Sequence, residues 1–209
     1  MASTAADSAR KRHPIVKKLE EDRPVNTLQR LLDLLALDRL PRTGWLLAGV
    51  EPAESITDHA LGTALVALAL GPRVEPALDT DRAVSLAVLH DAAEALMGDI
   101  PRPGARLLPD GAKHEAEGAA AEQLLGPLSE LALERHREVA ERATREARFV
   151  GLCDKLQMGV RLVDLHRSGA RGLGAFRATL AELDCTEFPP CDELRRAILA
   201  ALDAPTPEI

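Results

Sequence analysis

The sequence predicts an all-α protein, and three observations carry that reading. Aromatic residues make up only 2% of the chain and tyrosine is absent, so the core must be built from Leu, Ala and Val. Strong helix formers dominate the apolar residues, and they recur at helical spacing. No stretch alternates with the period of two that a half-buried strand requires. With 209 residues, 46% hydrophobic and 28% charged, the chain has the composition of one globular domain with a substantial core.

The elements follow in order. Residues 1–24 are small, polar and charged and end at Pro24, which reads as an arm preceding a domain over 25–203. Asn26 or Thr27 can cap a helix carrying Leu31, Leu34, Leu35 and Leu37 on one stripe, stopping before Pro41. Arg42-Thr43-Gly44-Trp45 then forms a turn-like link that holds the only Trp.

Ser55-Ile56-Thr57-Asp58 has the capping-box form, hydroxyl first and carboxylate three later. The helix it opens runs to Leu70, before Gly71-Pro72. It is apolar nearly all round, which predicts burial on every side. A third helix is expected from Asp79–Asp81 through Leu96, ending at Gly98, and a proline-rich loop from Asp99 to Pro109. Two charged helices over 110–125 and 127–145 follow. A long one then runs over 145–166, with Phe149, Leu152, Leu156, Val160 and Val163 as its stripe. Two short helices, about 175–184 and 192–202, close the domain, with Pro189-Pro190 between them and a tail over 204–209.

The net charge of −7 argues against a broad nucleic-acid surface, which needs a basic face, but not against a small anionic ligand. Cys153, Cys185 and Cys191 form no disulfide or CxxC pattern, so a reduced, cytoplasmic protein is expected. No segment reaches the roughly 18 apolar residues of a membrane span, and no secretory leader is expected.

Against this apolar background, two stretches are anomalous: Glu54-Ser55-Ile56-Thr57-Asp58-His59 and His90-Asp91-Ala92-Ala93-Glu94. Each buries ionisable groups, at a cost of several kcal/mol each unless a partner or an ion compensates. His90 and Glu94 lie four apart, on one helix face, with Asp91 beside them. His59 comes from the neighbouring helix, and Asp154 interrupts an apolar face of the long one. Two imidazoles and two carboxylates suit a single first-row divalent cation such as Mn²⁺, Co²⁺, Fe²⁺ or Zn²⁺. Such an ion acidifies water and neutralises a phosphoryl oxygen, and Glu94 beside it could shuttle the proton.

The order His59 … His90-Asp91 … Asp154 resembles the HD-domain metal-dependent phosphohydrolases. Pro41-Arg42-Thr43-Gly44-Trp45, Glu54 to His59, His90 to Glu94, Gly98-Asp99-Ile100, Glu146 to Val150 and Asp154-Lys155-Leu156 look like its 5′-deoxynucleotidase branch, over roughly 27–168. The resemblance implies an HD-domain helical bundle with a divalent metal site in its core, usually a homodimer, that hydrolyses the 5′-phosphate of nucleoside monophosphates. His59, His90, Asp91 and Asp154 would hold the metal and Glu94 would be the catalytic carboxylate. Arg42 would meet the phosphate, Trp45 the sugar, and Asp99 the 3′-hydroxyl.

Each of the last three has a plainer reading: a surface ion pair for Arg42, a core anchor for Trp45, a loop cap for Asp99. Lys155 is expected in an ion pair, Lys113 and His114 in solvent, and His136 on the surface. Ala48-Gly49 replaces an Arg-Asn found in many relatives. That keeps a modified nucleotide open as substrate, with a di-iron oxygenase or a non-catalytic nucleotide binder as further alternatives.

Overall fold

A computed structural model describes residues 27–204. The arm expected over 1–24, and all of the 204–209 tail except Ala204, lie outside the described residues. Among the described residues there is no β-strand, only one isolated bridge between Pro41 and Ser55. The helices are α1 (Thr27–Leu34), α2 (Thr43–Leu47), α3 (Ile56–Leu70), α4 (Thr80–Leu89), α5 (Glu94–Met97), α6 (Arg102–Ala105), α7 (Ala112–Leu125), α8 (Glu130–Glu141), α9 (Arg145–Arg167), α10 (Gly174–Ala181) and α11 (Pro189–Asp203).

Local chemistry sets the main boundaries. The capping box forms as the sequence requires: Asp58 N donates to Ser55 Oγ and Ser55 N to Asp58 Oδ2, both at 3.0 Å. Asp79 and Thr144 cap α4 and α9 with a single bond each, accepting from Arg82 N and Ala147 N. These three helices pack on one another at the centre, and α8, α10 and α11 lie against them. Their shared core holds Ala67, Leu86, Phe149, Val150 and Leu156, all fully buried. A second cluster joins Ala92 and Ala93 to Ala121, Leu124 and Leu125 of α7.

Three expectations are corrected. The third helix does not run through to Leu96. It stops at Leu89, and His90 to Ala93 form a tight turn in which Ala92 N and Glu94 N bond back three residues rather than four. That turn, rather than one continuous helix face, presents His90, Asp91 and Glu94 to a common space. α3 is not buried all round. Ile56, His59, Thr63 and Ala67 face inward, while Leu61, Leu65 and Leu68 are more than half exposed. Pro189 and Pro190 do not separate the last helices; they open α11, where a missing N–H costs nothing.

Candidate metal centre

The site begins with two imidazoles whose orientation is fixed from behind. His59 is fully buried on the inner face of α3. Its Nδ1 lies 2.5 Å from Gln157 Oε1 on α9. The amide of Gln157 is itself oriented, because its Nε2 donates to Glu54 Oε2 at 3.0 Å. His59 Nδ1 therefore carries the proton, and Nε2 presents a bare lone pair. His90, at the end of α4, donates from Nδ1 to the Ala87 carbonyl at 2.7 Å, which turns its Nε2 toward the same space.

Their Nε2 atoms face each other across 3.3 Å. Asp91 Oδ2 lies 3.2 Å from His90 Nε2 and 3.7 Å from His59 Nε2. Asp154 Oδ1 is 3.1 Å from His59 Nε2, yet buried without hydrogen-bond geometry to any partner. Glu94 Oε2 is likewise buried without a hydrogen bond. Carboxylates gathered this closely repel one another, and a cation among them offsets the repulsion. The donor atoms of His59, His90 and Asp91 all fall within 4.8 Å of one another, and Asp154 joins the group through His59. The mixed N/O set fits a first-row divalent ion.

The electrostatics agree. Burial works against a charged His90, but the Asp91 carboxylate, by charge and hydrogen bond, and Asp154 overcome it and push the imidazole up to about 9. Asp91 and Asp154 stay well below the usual carboxylate range despite burial, Asp91 through His90 and Arg42, Asp154 through Lys155 and His59. Glu94 moves the opposite way. Burial, then the charges of Asp91 and Asp99, push it up to about 9 against the pull of Arg42. Adjacent carboxyl groups are thus driven apart in acidity.

Arg42 is no surface ion pair. Its guanidinium lies 3.1 Å from Asp91, 3.9 Å from Asp99, and 4.0 Å from both Glu94 and Asp154. Trp45 is 2% exposed; its indole N–H donates to Glu54 Oε1 at 2.8 Å and its ring stacks on Phe176 at 4.1 Å. Asp99 follows Gly98, whose φ of 75° reverses the chain after α5. Its Oδ2 accepts from Thr43 N at 2.7 Å and its carbonyl from Thr43 Oγ1 at 3.0 Å, which ties the start of α2 to this loop. Arg42, Trp45, Glu54, His59, Asp91, Glu94, Asp99, Asp154 and Phe176 line one cavity of about 680 Å³. His90 lines a smaller one of about 170 Å³ behind it, shared with Asp91, Glu94 and Asp154.

Several residues at the site were not singled out as such by sequence. Gln157 links His59 to Glu54, and Glu54 links onward to Trp45, in one buried chain of hydrogen bonds. The available signal was position: Gln157 is a polar amide one turn beyond Asp154 on the same face of a core helix. Gly62 of α3 faces that amide so closely that an added Cβ would stand 2.7 Å from Gln157 Cγ. Lys113, expected in solvent, lines the larger cavity and pairs with Glu117 at 2.6 Å. His136, expected on the surface, is 3% exposed, lines the rear cavity, and is held below its usual basicity by burial. Its charged sequence neighbours Glu134, Arg135 and Arg137 concealed it. Lys155 makes the expected ion pair with Asp154, at 2.7 Å.

Several known proteins are similar to this chain. Bos taurus 5′-deoxynucleotidase HDDC2 is 36% identical over 137 residues, 64% of this chain and 64% of that protein. Schizosaccharomyces pombe 5′-deoxynucleotidase hdd1 is 32% identical over 156 residues, 69% of this chain and 76% of that protein. The chain spans just under two thirds of the length of the mammalian relatives, 64% and 66% for the cattle and mouse proteins. The solved structure of the PH0347 protein from Pyrococcus horikoshii OT3 matches with a TM-score of 0.73 at 28% identity, covering 83% of this chain and 99% of that one. The family profile described as HD domain matches residues 36–183, an interval that contains every site residue described above, and the chain belongs to the HD domain family.

Proposed function

We propose that this protein is a metal-dependent phosphomonoesterase that removes the 5′-phosphate of deoxyribo- and ribonucleoside monophosphates, with one divalent cation held by His59, His90, Asp91 and Asp154. The observation that carries the reading is the pair of imidazole Nε2 atoms 3.3 Å apart beside Asp91, Glu94 and Asp154, the last two each with a buried oxygen that has no hydrogen-bond partner. When bound, the ion would supply Lewis acidity toward a phosphoryl oxygen and toward water. The names of the cattle and fission-yeast relatives point to the same substrate class.

The chain's own residues supply the rest. Arg42 is the cation that approaches Asp91, Glu94, Asp99 and Asp154 together, and its guanidinium is placed to meet a phosphoryl oxygen. Glu94, buried beside the ligands, is placed to exchange a proton with the departing 5′-oxygen. Asp99 holds Thr43, and so fixes the backbone that carries Arg42 and Trp45. Trp45 walls the cavity beside the position a sugar would take. The stripe of Leu61, Leu65 and Leu68 on α3 supports assembly as a homodimer, and three free cysteines support a reducing, cytoplasmic setting.

Phosphate release from the deoxyribo- and ribonucleoside monophosphates, each with Co²⁺, Mn²⁺, Fe²⁺ and Zn²⁺, tests the assignment. Turnover is expected with at least one ion, and Glu94→Gln should lower kcat by a factor of about 10²–10⁴. Metal-loaded protein that releases phosphate from none of these substrates would refute it.

A further inference from the structure

The chain contains only four benzenoid or indole rings, Trp45, Phe149, Phe176 and Phe188, and the fold sorts them into two pairs. Phe149 and Phe188 meet at 5.4 Å deep in the core, 0% and 1% exposed. Trp45 and Phe176 stack at 4.1 Å and 23° on the wall of the large cavity. Within this second pair the burial is unequal. Trp45 is enclosed and its N–H is satisfied by Glu54, whereas Phe176, on the short helix α10, is only half-buried.

The surroundings extend that ring into an apolar floor. Leu47, Ala48, Met158 and Ala175 line the same cavity. Gly44 lies beside the ring edge, where an added Cβ would stand in ordinary contact, 3.7 Å from Phe176 Cε1. The cavity is therefore charged where Arg42, Asp91, Glu94 and Asp154 meet, and flat and apolar at Phe176. A ligand matching both ends carries a phosphoryl group on one side and a planar π-system on the other.

We propose that Phe176 is the nucleobase platform of this site: it stacks the base of a bound nucleotide while Trp45 backs it from the other face. The proposal rests on the nucleotide phosphomonoesterase reading and extends it to the base. Stacking on a single ring accepts every base, because each has a π-face, and favours purines for their larger area. The enzyme is thus base-tolerant, with a purine preference carried by KM.

The test compares two substrates that differ only in the base, deoxyadenosine 5′-monophosphate and deoxyribose 5-phosphate, in the metal-loaded wild type, Phe176→Leu and Phe176→Tyr. Leucine keeps the apolar volume that packs α10 but removes the ring; tyrosine keeps the ring. The wild type is expected to show a lower KM for the nucleotide than for the sugar phosphate. In Phe176→Leu that advantage should shrink about tenfold, through KM rather than kcat, and Phe176→Tyr should preserve it. If Phe176→Leu raises KM equally for both substrates, the ring only props Trp45 and the base platform is overturned. A wild type that turns over both substrates with equal KM overturns it as well. A wild type that hydrolyses neither removes the phosphomonoesterase reading, and the platform with it.

Discussion

The two ends of the large cavity are held in place by different physics. At one end, His59, Asp91, Glu94 and Asp154 crowd groups that repel one another, and their positions are imposed by hydrogen bonds from behind, through Gln157, Ala87 and the turn at His90. At the other, Trp45 and Phe176 sit where their own contact favours them, ring on ring and against apolar neighbours. The first end gathers charges that a bound ion would help to balance, and the second is held by its own apolar contacts. Binding geometry should accordingly be fragile at the polar end and robust at the aromatic one.

The sharpest way to break that contrast is to remove a lone pair. His90→Ala deletes one donor and leaves Asp91 and Asp154 facing each other, so the ion should be lost. Metal content after dialysis should fall from about one equivalent to near zero and turnover should vanish with it, whereas the helical circular-dichroism signal should persist. Retention of the ion by His90→Ala would mean that the site is not built as described.

A smaller effect is expected one layer out. Gln157→Leu fills the same space but cannot accept from His59 Nδ1, which leaves the imidazole free to choose the other tautomer. Metal affinity measured by calorimetric titration should weaken about 10–100-fold, the usual consequence of losing the group that orients a ligating histidine. The Trp45–Phe176 stack should be little disturbed, although Glu54 loses one donor.

The smallest effect concerns stability rather than function. The folded state holds the Glu94 carboxyl up to about 9, above its unfolded value, so the metal-free native state binds more protons than the unfolded one between those limits. Its stability is therefore lost progressively as pH rises through that interval, and the cost is complete above about 9. Glu94→Gln abolishes this cost. The melting temperature of the metal-free variant should exceed that of the wild type by a few degrees at neutral pH, with a gap that widens toward pH 9. A gap that stays constant with pH would remove the titration of Glu94 as its source.

The same contrast explains what could be read from the chain. The polar end was legible because His59, His90-Asp91 and Asp154 interrupt apolar helices, and ionisable groups there demand a reason. Helix starts were legible too: Ser55 begins α3 where its side chain can accept, and Asp79 lies at the expected start of α4. Phe176 was not, because a phenylalanine among Ala and Leu on a short helix has the signature of ordinary core. His136 was hidden by its charged neighbours, since burial depends on which face of α8 meets α4 and α9, and no local pattern states that. The break of α4 at His90 was missed because Ala92 and Ala93 are good helix formers; the turn is set by tertiary packing of Ala92 and Ala93 on α7, which outweighs propensity.

The bare backbone at Gly62 has a reach that its own surroundings do not suggest. It contributes no atom to the cavity, but it supplies the clearance in which the Gln157 amide lies. A methyl group there would have to shove that amide aside, and the displacement would pass in one direction to the His59 ring and in the other to Glu54 and the indole. Two ends of the molecule that otherwise obey separate rules would then drift together, governed by a vacancy one carbon wide.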